Sequence, residues 1–144
     1  MPSLDIPSEV AGFIASHRVA RLATADAEGV PHAVPICYVF DGKCIYTALD
    51  LKPKRVQGRA LKRVRNILQN PKVSLVIDDY SEDWSELAYV QLQGNAHLVD
   101  DGHEQKLAEA LLREKYHQYE TLLESGCTVI KITPTNVVSW GQAR

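Results

Sequence analysis

The chain has 144 residues, 45% of them hydrophobic and 24% charged, and its formal net charge is −2. That length favours one domain over residues 1–144, able to bury about two-thirds of its unfolded surface, and the composition excludes long disorder. The slightly acidic balance disfavours a globally basic nucleic-acid binder, and no apolar run approaches the roughly 18 residues of a membrane span.

In chain order, Met1 to Ser8 lacks the basic start and apolar core of a signal peptide, so a cytoplasmic protein is expected. Pro7-Ser8-Glu9 reads as a helix start with Ser8 as cap, and Val10, Phe13 and Ile14 recur at helical spacing. Residues 18–25 read as a strand. Residues 32–40 and 43–49 form a hairpin around Asp41-Gly42, a strong turn signal that sets Val39 opposite Cys44. Cys37 and Cys44 are then out of register for a disulfide. With Cys127 they read as buried free thiols.

Pro53 and Gly58 mark a loop over 50–58. A helix follows over 59–69, carrying Leu61, Val64 and Leu68 on one face, and Asn70-Pro71 ends it. Residues 73–78 alternate as a strand, and 79–86 form an acidic loop holding Tyr80 and Trp84. Residues 87–99 alternate most clearly: Val90, Leu92, Ala96 and Leu98 face one way, Gln91, Gln93, Asn95 and His97 the other. Gly94 in their midst suggests a bulge or bend. Asp101 and Glu104 resemble a capping box. The helix behind it, over 102–124, carries Leu107, Leu111, Leu112, Tyr116, Tyr119 and Leu123 on one face, and Gly126 stops it. Residues 127–140 read as a last strand bent at Pro134.

About six strands and three helices result, with only two helices between strands. A doubly wound parallel sheet needs more. The order suits a mostly β fold, a six-stranded antiparallel split barrel of Greek-key-like connectivity.

The most informative stretch is 51–67. Lys52, Lys54, Arg55, Arg59, Lys62, Arg63 and Arg65 fall within it, seven of the chain's sixteen Lys and Arg, with no acidic residue among them. Such a loop running into a helix suits a phosphate site, where arginine grips oxygens in pairs and the helix start adds N–H donors. A solvated basic face and non-specific nucleic-acid binding are the competing readings. The second lacks interleaved aromatics.

Arg-Leu-Ala-Thr (21–24), Asp-Ala-Glu-Gly-Val-Pro-His (26–32), Tyr38, Tyr46-Thr47, and Arg65-Asn66 with Asn70-Pro71 before a hydrophobic strand stand in an order that resembles the pyridoxamine 5′-phosphate oxidase-like split-barrel family. The stretches LATADAEGVPHAVPI, KRVRNI and NPKVSLVID are most similar to its deazaflavin-dependent branch. The resemblance implies a homodimer with coenzyme F420, or alternatively FMN, in a groove between subunits. It further implies that the first strand pair runs along the ring and the basic segment holds the phosphate. Carried onto this chain, Arg63 and Thr47 match best, and Lys52, Lys54, Arg55 and Arg59 match more weakly. Trp140 and Arg144 echo the substrate-holding pair of true pyridoxamine phosphate oxidases, but at shorter spacing.

The implied activity is hydride transfer between reduced coenzyme F420 and a small organic molecule. An FMN-dependent relative and a non-catalytic cofactor carrier are the alternatives. Such chemistry resides in the cofactor, and the sequence offers no convincing nucleophile or acid–base pair. None of the five histidines has a partner at metal-ligand spacing. His32 begins the second strand, close to where the ring would lie, and Trp84 with Tyr80 reads either as a wall of the cofactor or substrate pocket or as a hydrophobic plug on the barrel end or dimer contact. Tyr116 and Tyr119 read as core or dimer surface.

Overall fold

The computed structural model describes residues 4–49 and 61–141. Seven antiparallel strands make one sheet: β1 (Ala20–Ala25), β2 (Pro31–Ile36), β3 (Val39–Phe40), β4 (Ile45–Ala48), β5 (Lys72–Asp79), β6 (Ala88–Val99) and β7 (Val129–Gly141). Their spatial order is β2-β1-β5-β6-β7-β4-β3. The edge strands β2 and β3 are consecutive in the chain, joined only by Cys37 and Tyr38. Three Cα steps span at most about 11 Å, so the sheet must curl until its edges nearly meet. That makes a barrel with a split.

The expected six strands are seven because 32–40 breaks at Cys37-Tyr38. Tyr38 turns inward and is fully buried. Its N–H donates to the Tyr116 hydroxyl at 2.9 Å, and its own hydroxyl donates to the Ile14 carbonyl. The hairpin register also differs from expectation. Asp41 to Cys44 form a four-residue loop, so Val39 faces Tyr46 and not Cys44. The Asp41 carboxylate accepts from the Lys43 and Cys44 N–H groups at 2.9 and 2.7 Å, which favours this longer loop over a two-residue turn. All three thiols are free, though half-buried and not buried.

Among the described residues four α-helices decorate the barrel: α1 (Ser8–Ser16), α2 (Lys62–Gln69), α3 (Gly102–Lys115) and α4 (Tyr119–Leu122). In α1, Ser8 is already helical and Pro7 takes the cap position, with no side-chain capping bond. The single helix expected over 102–124 is two. Tyr116 leaves helical geometry, its ring held under the strand break by bonds from its hydroxyl to the Tyr38 backbone and to the Arg18 carbonyl. Leu107 is exposed, and Gln105 is buried in its stead, donating to the Cys127 carbonyl at 2.8 Å. The Asp101 side chain makes no capping bond, and Glu104 turns away to the Tyr46 hydroxyl and the Lys131 amine, at 2.7 and 2.5 Å.

Two cores follow from strand alternation. Ala20, Leu22, Ile36, Ile45, Leu75, Ile77, Val90, Leu92, Ile130 and Ile132 fill the barrel, closed by Val10 and Ile14 of α1 and Val64 and Ile67 of α2. Outside it, α3 and α4 cover Val39, Tyr46, Ala48 and Val129 with Ala108, Leu112, Tyr116, Tyr119 and Leu123. The β6–β7 ladder slips at Gly94, as its glycine suggested, leaving Thr135 unmatched. A Cβ at Gly94 would strike the Thr133 carbonyl, so the close strand approach requires glycine there.

Candidate functional site

At one end of the barrel, α2 lies over the β1–β2 hairpin. The Gln69 side chain accepts from the Ala27 N–H at 3.0 Å, and the Lys62 amine sits 3.9 Å from the Asp26 carboxylate. Asn66 is wholly buried and donates to the Thr24 hydroxyl at 3.0 Å. His32 stands directly across the strand pair from Thr24. Directly paired residues share a face of the sheet, so His32 joins Thr24 and Asn66 on the inner side.

Three buried polar atoms of this end have no hydrogen-bond partner among the described residues: Asn66 Oδ1, His32 Nδ1 and Arg63 Nε. Such atoms are costly unless water or a ligand satisfies them. Arg63 lies one turn before Asn66 on α2. It is half-buried and has no carboxylate partner among the described residues, and burial lowers its pKa below the usual arginine value. A guanidinium desolvated without a counter-charge is poised for an anion.

Thr47 belongs to the fourth strand. It pairs with Ile130, which also pairs with Leu98 near the far end of β6, so it lies toward the same end of the barrel as α2. Its side chain is buried, and its hydroxyl donates to the Cys37 carbonyl at 2.6 Å, bracing the strand break. The fold therefore gathers His32, Thr47 and Arg63 toward one end. Lys52, Lys54, Arg55 and Arg59 lie outside the described residues.

Trp84 is elsewhere. It sits on a single 3-10 turn (Trp84–Glu86) between β5 and β6, 70% exposed. Beside this loop a groove of about 410 Å³ runs along the outer face of β5 and β6 to β7. The Tyr89 and Trp140 rings stack within it, centroids 6.0 Å apart and planes 21° from parallel, and remain 38% and 45% exposed. Tyr80, Asp78, Asp79 and Gln91 also line it, with Val76, Leu87 and Ala88. Sequence reasoning missed Tyr89. It shares a strand face with Gln91 and Gln93, but its neighbour Trp140 comes from a strand fifty residues on, paired by register.

His17 ties α1 to β5: its Nδ1 lies 2.7 Å from the Phe13 carbonyl and its Nε2 2.7 Å from the Asp79 carboxylate. Tyr116 and Tyr119 are core, their rings 5.4 Å apart. No helix among the described residues is long and apolar enough to cross a membrane.

A curled antiparallel sheet split between its edge strands, with a hairpin, a half-buried arginine and a buried asparagine gathered at one end, defines a split-barrel architecture. Residues 6–141 match the pyridoxamine 5′-phosphate oxidase family, and the chain belongs to that family. It is 26% identical over 133 residues to the 5a,11a-dehydrotetracycline/5a,11a-dehydrooxytetracycline reductase of Streptomyces rimosus, spanning 90% of this chain and 78% of the relative. Its fold is shared by a haem storage protein from Vibrio cholerae, at TM-score 0.73 and 16% identity, covering 98% of this chain and 100% of that one. An FAD-binding protein from Mesorhizobium loti also shares the fold, at TM-score 0.72 and 21% identity over 91% and 89% of the two chains.

Proposed function

We propose that this chain is a single-domain oxidoreductase that transfers hydride between reduced coenzyme F420 and a small organic molecule. The observation that carries this reading is Arg63: a half-buried guanidinium with an unpartnered Nε in a segment of seven cations and no acid. One phosphate would be satisfied by two or three cations. The phosphodiester and polyglutamate tail of the deazaflavin give seven a purpose. Lys52, Lys54, Arg55, Arg59 and Arg63 would hold that anion, and His32 would meet the polar edge of the ring. The bound group supplies the hydride. The chain's residues bind it, orient it and keep water out. The relationship to a reductase supports reductive chemistry.

A second copy belongs to this reading. The basic end and the aromatic groove are separated by the eight-residue length of β5, about 25 Å at the usual rise per residue. One cofactor could touch both only if another copy brings its groove to this chain's basic end, and a two-fold arrangement does so twice. Trp84 would then wall the partner's site. The unpaired thiols suit the cytoplasm.

Titration of the purified protein with coenzyme F420 and with FMN, followed by ligand fluorescence, tests the reading. Micromolar binding of the deazaflavin that weakens in Arg63→Ala and Lys54→Ala is the expected result. Preferential FMN binding would move the protein to the flavin branch. Binding without hydride transfer to any acceptor would make it a carrier.

A further inference from the structure

The groove at the Trp140 end carries a charge opposite to that of the cofactor segment. Between Val73 and Gln105 the sequence contains no Lys or Arg, and Asp78, Asp79, Glu82, Asp83 and Glu86 cluster at the groove and in its adjoining loop. Only Asp78 and Asp79 among these five have basic partners in the described residues: Arg21 at 3.0 Å and His17 at 2.7 Å. Both carboxylates are still about half exposed, and both line the groove. Glu82 accepts from the Tyr80 hydroxyl and Glu86 from the Ser81 hydroxyl, neutral donors that leave the negative charge in place. The floor is the stacked Tyr89–Trp140 pair, whose ring faces attract cations.

We infer that this groove admits an organic cation: a molecule with a planar or ring-shaped apolar body and a protonated or quaternary amine. The body lies on Tyr89 and Trp140, and the charge faces the Asp78–Asp79 rim. As the substrate class of the reductase this rests on the function proposed above, whereas binding of the cation to the groove does not. The two ends of the barrel then divide the labour by sign. The anionic part of the cofactor is held where the cations are, and the acidic loop of the second copy's groove, brought to that end, attracts a cationic substrate to the ring.

The chain has two tryptophans, so Trp84→Phe leaves Trp140 as the sole indole reporter in the groove. Titrating that full-length protein with benzyltrimethylammonium, benzyl alcohol and phenylacetate, with and without bound cofactor, decides the matter. The expected result is quenching by the cation at a concentration at least about threefold lower than by the neutral alcohol, with phenylacetate weakest and the preference reduced by salt. Asp78→Asn with Asp79→Asn should abolish the preference. Glu82→Gln with Glu86→Gln, which breaks no ion pair of the described residues, should reduce it, so the outcome does not depend on the first variant folding. Equal binding of all three probes, or a preference unchanged in both variants, overturns the inference. Cofactor binding is read separately, on the protein that retains Trp84, from the cofactor's own fluorescence. If the cation binds and neither cofactor does, the oxidoreductase reading fails and the groove assignment stands. If a cofactor binds and the cation does not, only the groove assignment fails.

Discussion

The two ends of the β5–β6 ladder are built in different ways. At the α2 end the chemistry is local: Lys62, Arg63 and Arg65 lie on one eight-residue helix, and Arg63 and Asn66 are one helical turn apart. At the Trp140 end it is assembled by register, with Asp79 and Trp140 flanking β6 through pairings to Ala88 and Tyr89. A site written in one segment announces itself in the sequence. A site written across three strands does so only once their register is known.

The sharpest way to break this comparison is Arg63→Ala. Removing a charge-assisted contact should weaken cofactor binding by about 10- to 100-fold while leaving the thermal midpoint nearly unchanged. A comparable loss of stability would instead make Arg63 a structural residue. Asn66→Ala should do the reverse. It strands the buried Thr24 hydroxyl, and urea unfolding should show a loss of about 1–3 kcal/mol. Together the two variants separate the binding half of α2 from its anchoring half.

Lys115 provides a reference away from the groove. Its amine lies 4.0 Å from the centre of the Tyr38 ring and has no hydrogen-bond partner among the described residues. Burial, and then Arg18, push its pKa down to about 8. Between there and its unfolded value the unfolded chain binds more protons, so this group's contribution to stability rises with pH across that window. The wild type should therefore gain on Lys115→Met as the pH is raised from about 7.5 to about 9.5 in urea titrations. A constant difference would show that the amine does not titrate there. The smallest effect belongs to Leu107→Gln. That side chain is exposed, and urea unfolding should shift by less than about 0.5 kcal/mol. A larger loss would restore Leu107 to the packed face that helical periodicity suggested.

That last pair of readings shows where the sequence spoke and where it did not. Strand alternation over 88–99, the glycine bulge and the Asn70-Pro71 stop after α2 are local patterns, and each stands in the structure. Thr24, Asn66 and His32 were individually visible, but nothing in the sequence said that they face one another across 42 positions. The break at Tyr38, the split of the last long helix at Tyr116 and the longer hairpin loop escaped for a common reason. Each is fixed by a tertiary or side-chain bond, Tyr116 to Tyr38 or Asp41 to its own loop, that outweighs the propensity of the residues around it. Leu107 is exposed because α3 buries Gln105, Ala108 and Leu112, with Gln105 held by the Cys127 carbonyl.

The place of β7 in the sheet has a consequence for how the protein is made. It leaves the ribosome after the other six strands of the sheet, yet it lies between β6 and β4 and pairs with both. Until it emerges, two strands carry unpaired ladders facing an empty slot, and β4 cannot join the rest of the sheet. A nascent chain in that state presents two adhesive edges to its neighbours. Synthesis stalled before Val129 would favour misassembly between chains, and prompt delivery of this thirteen-residue strand is what commits each chain to its own barrel.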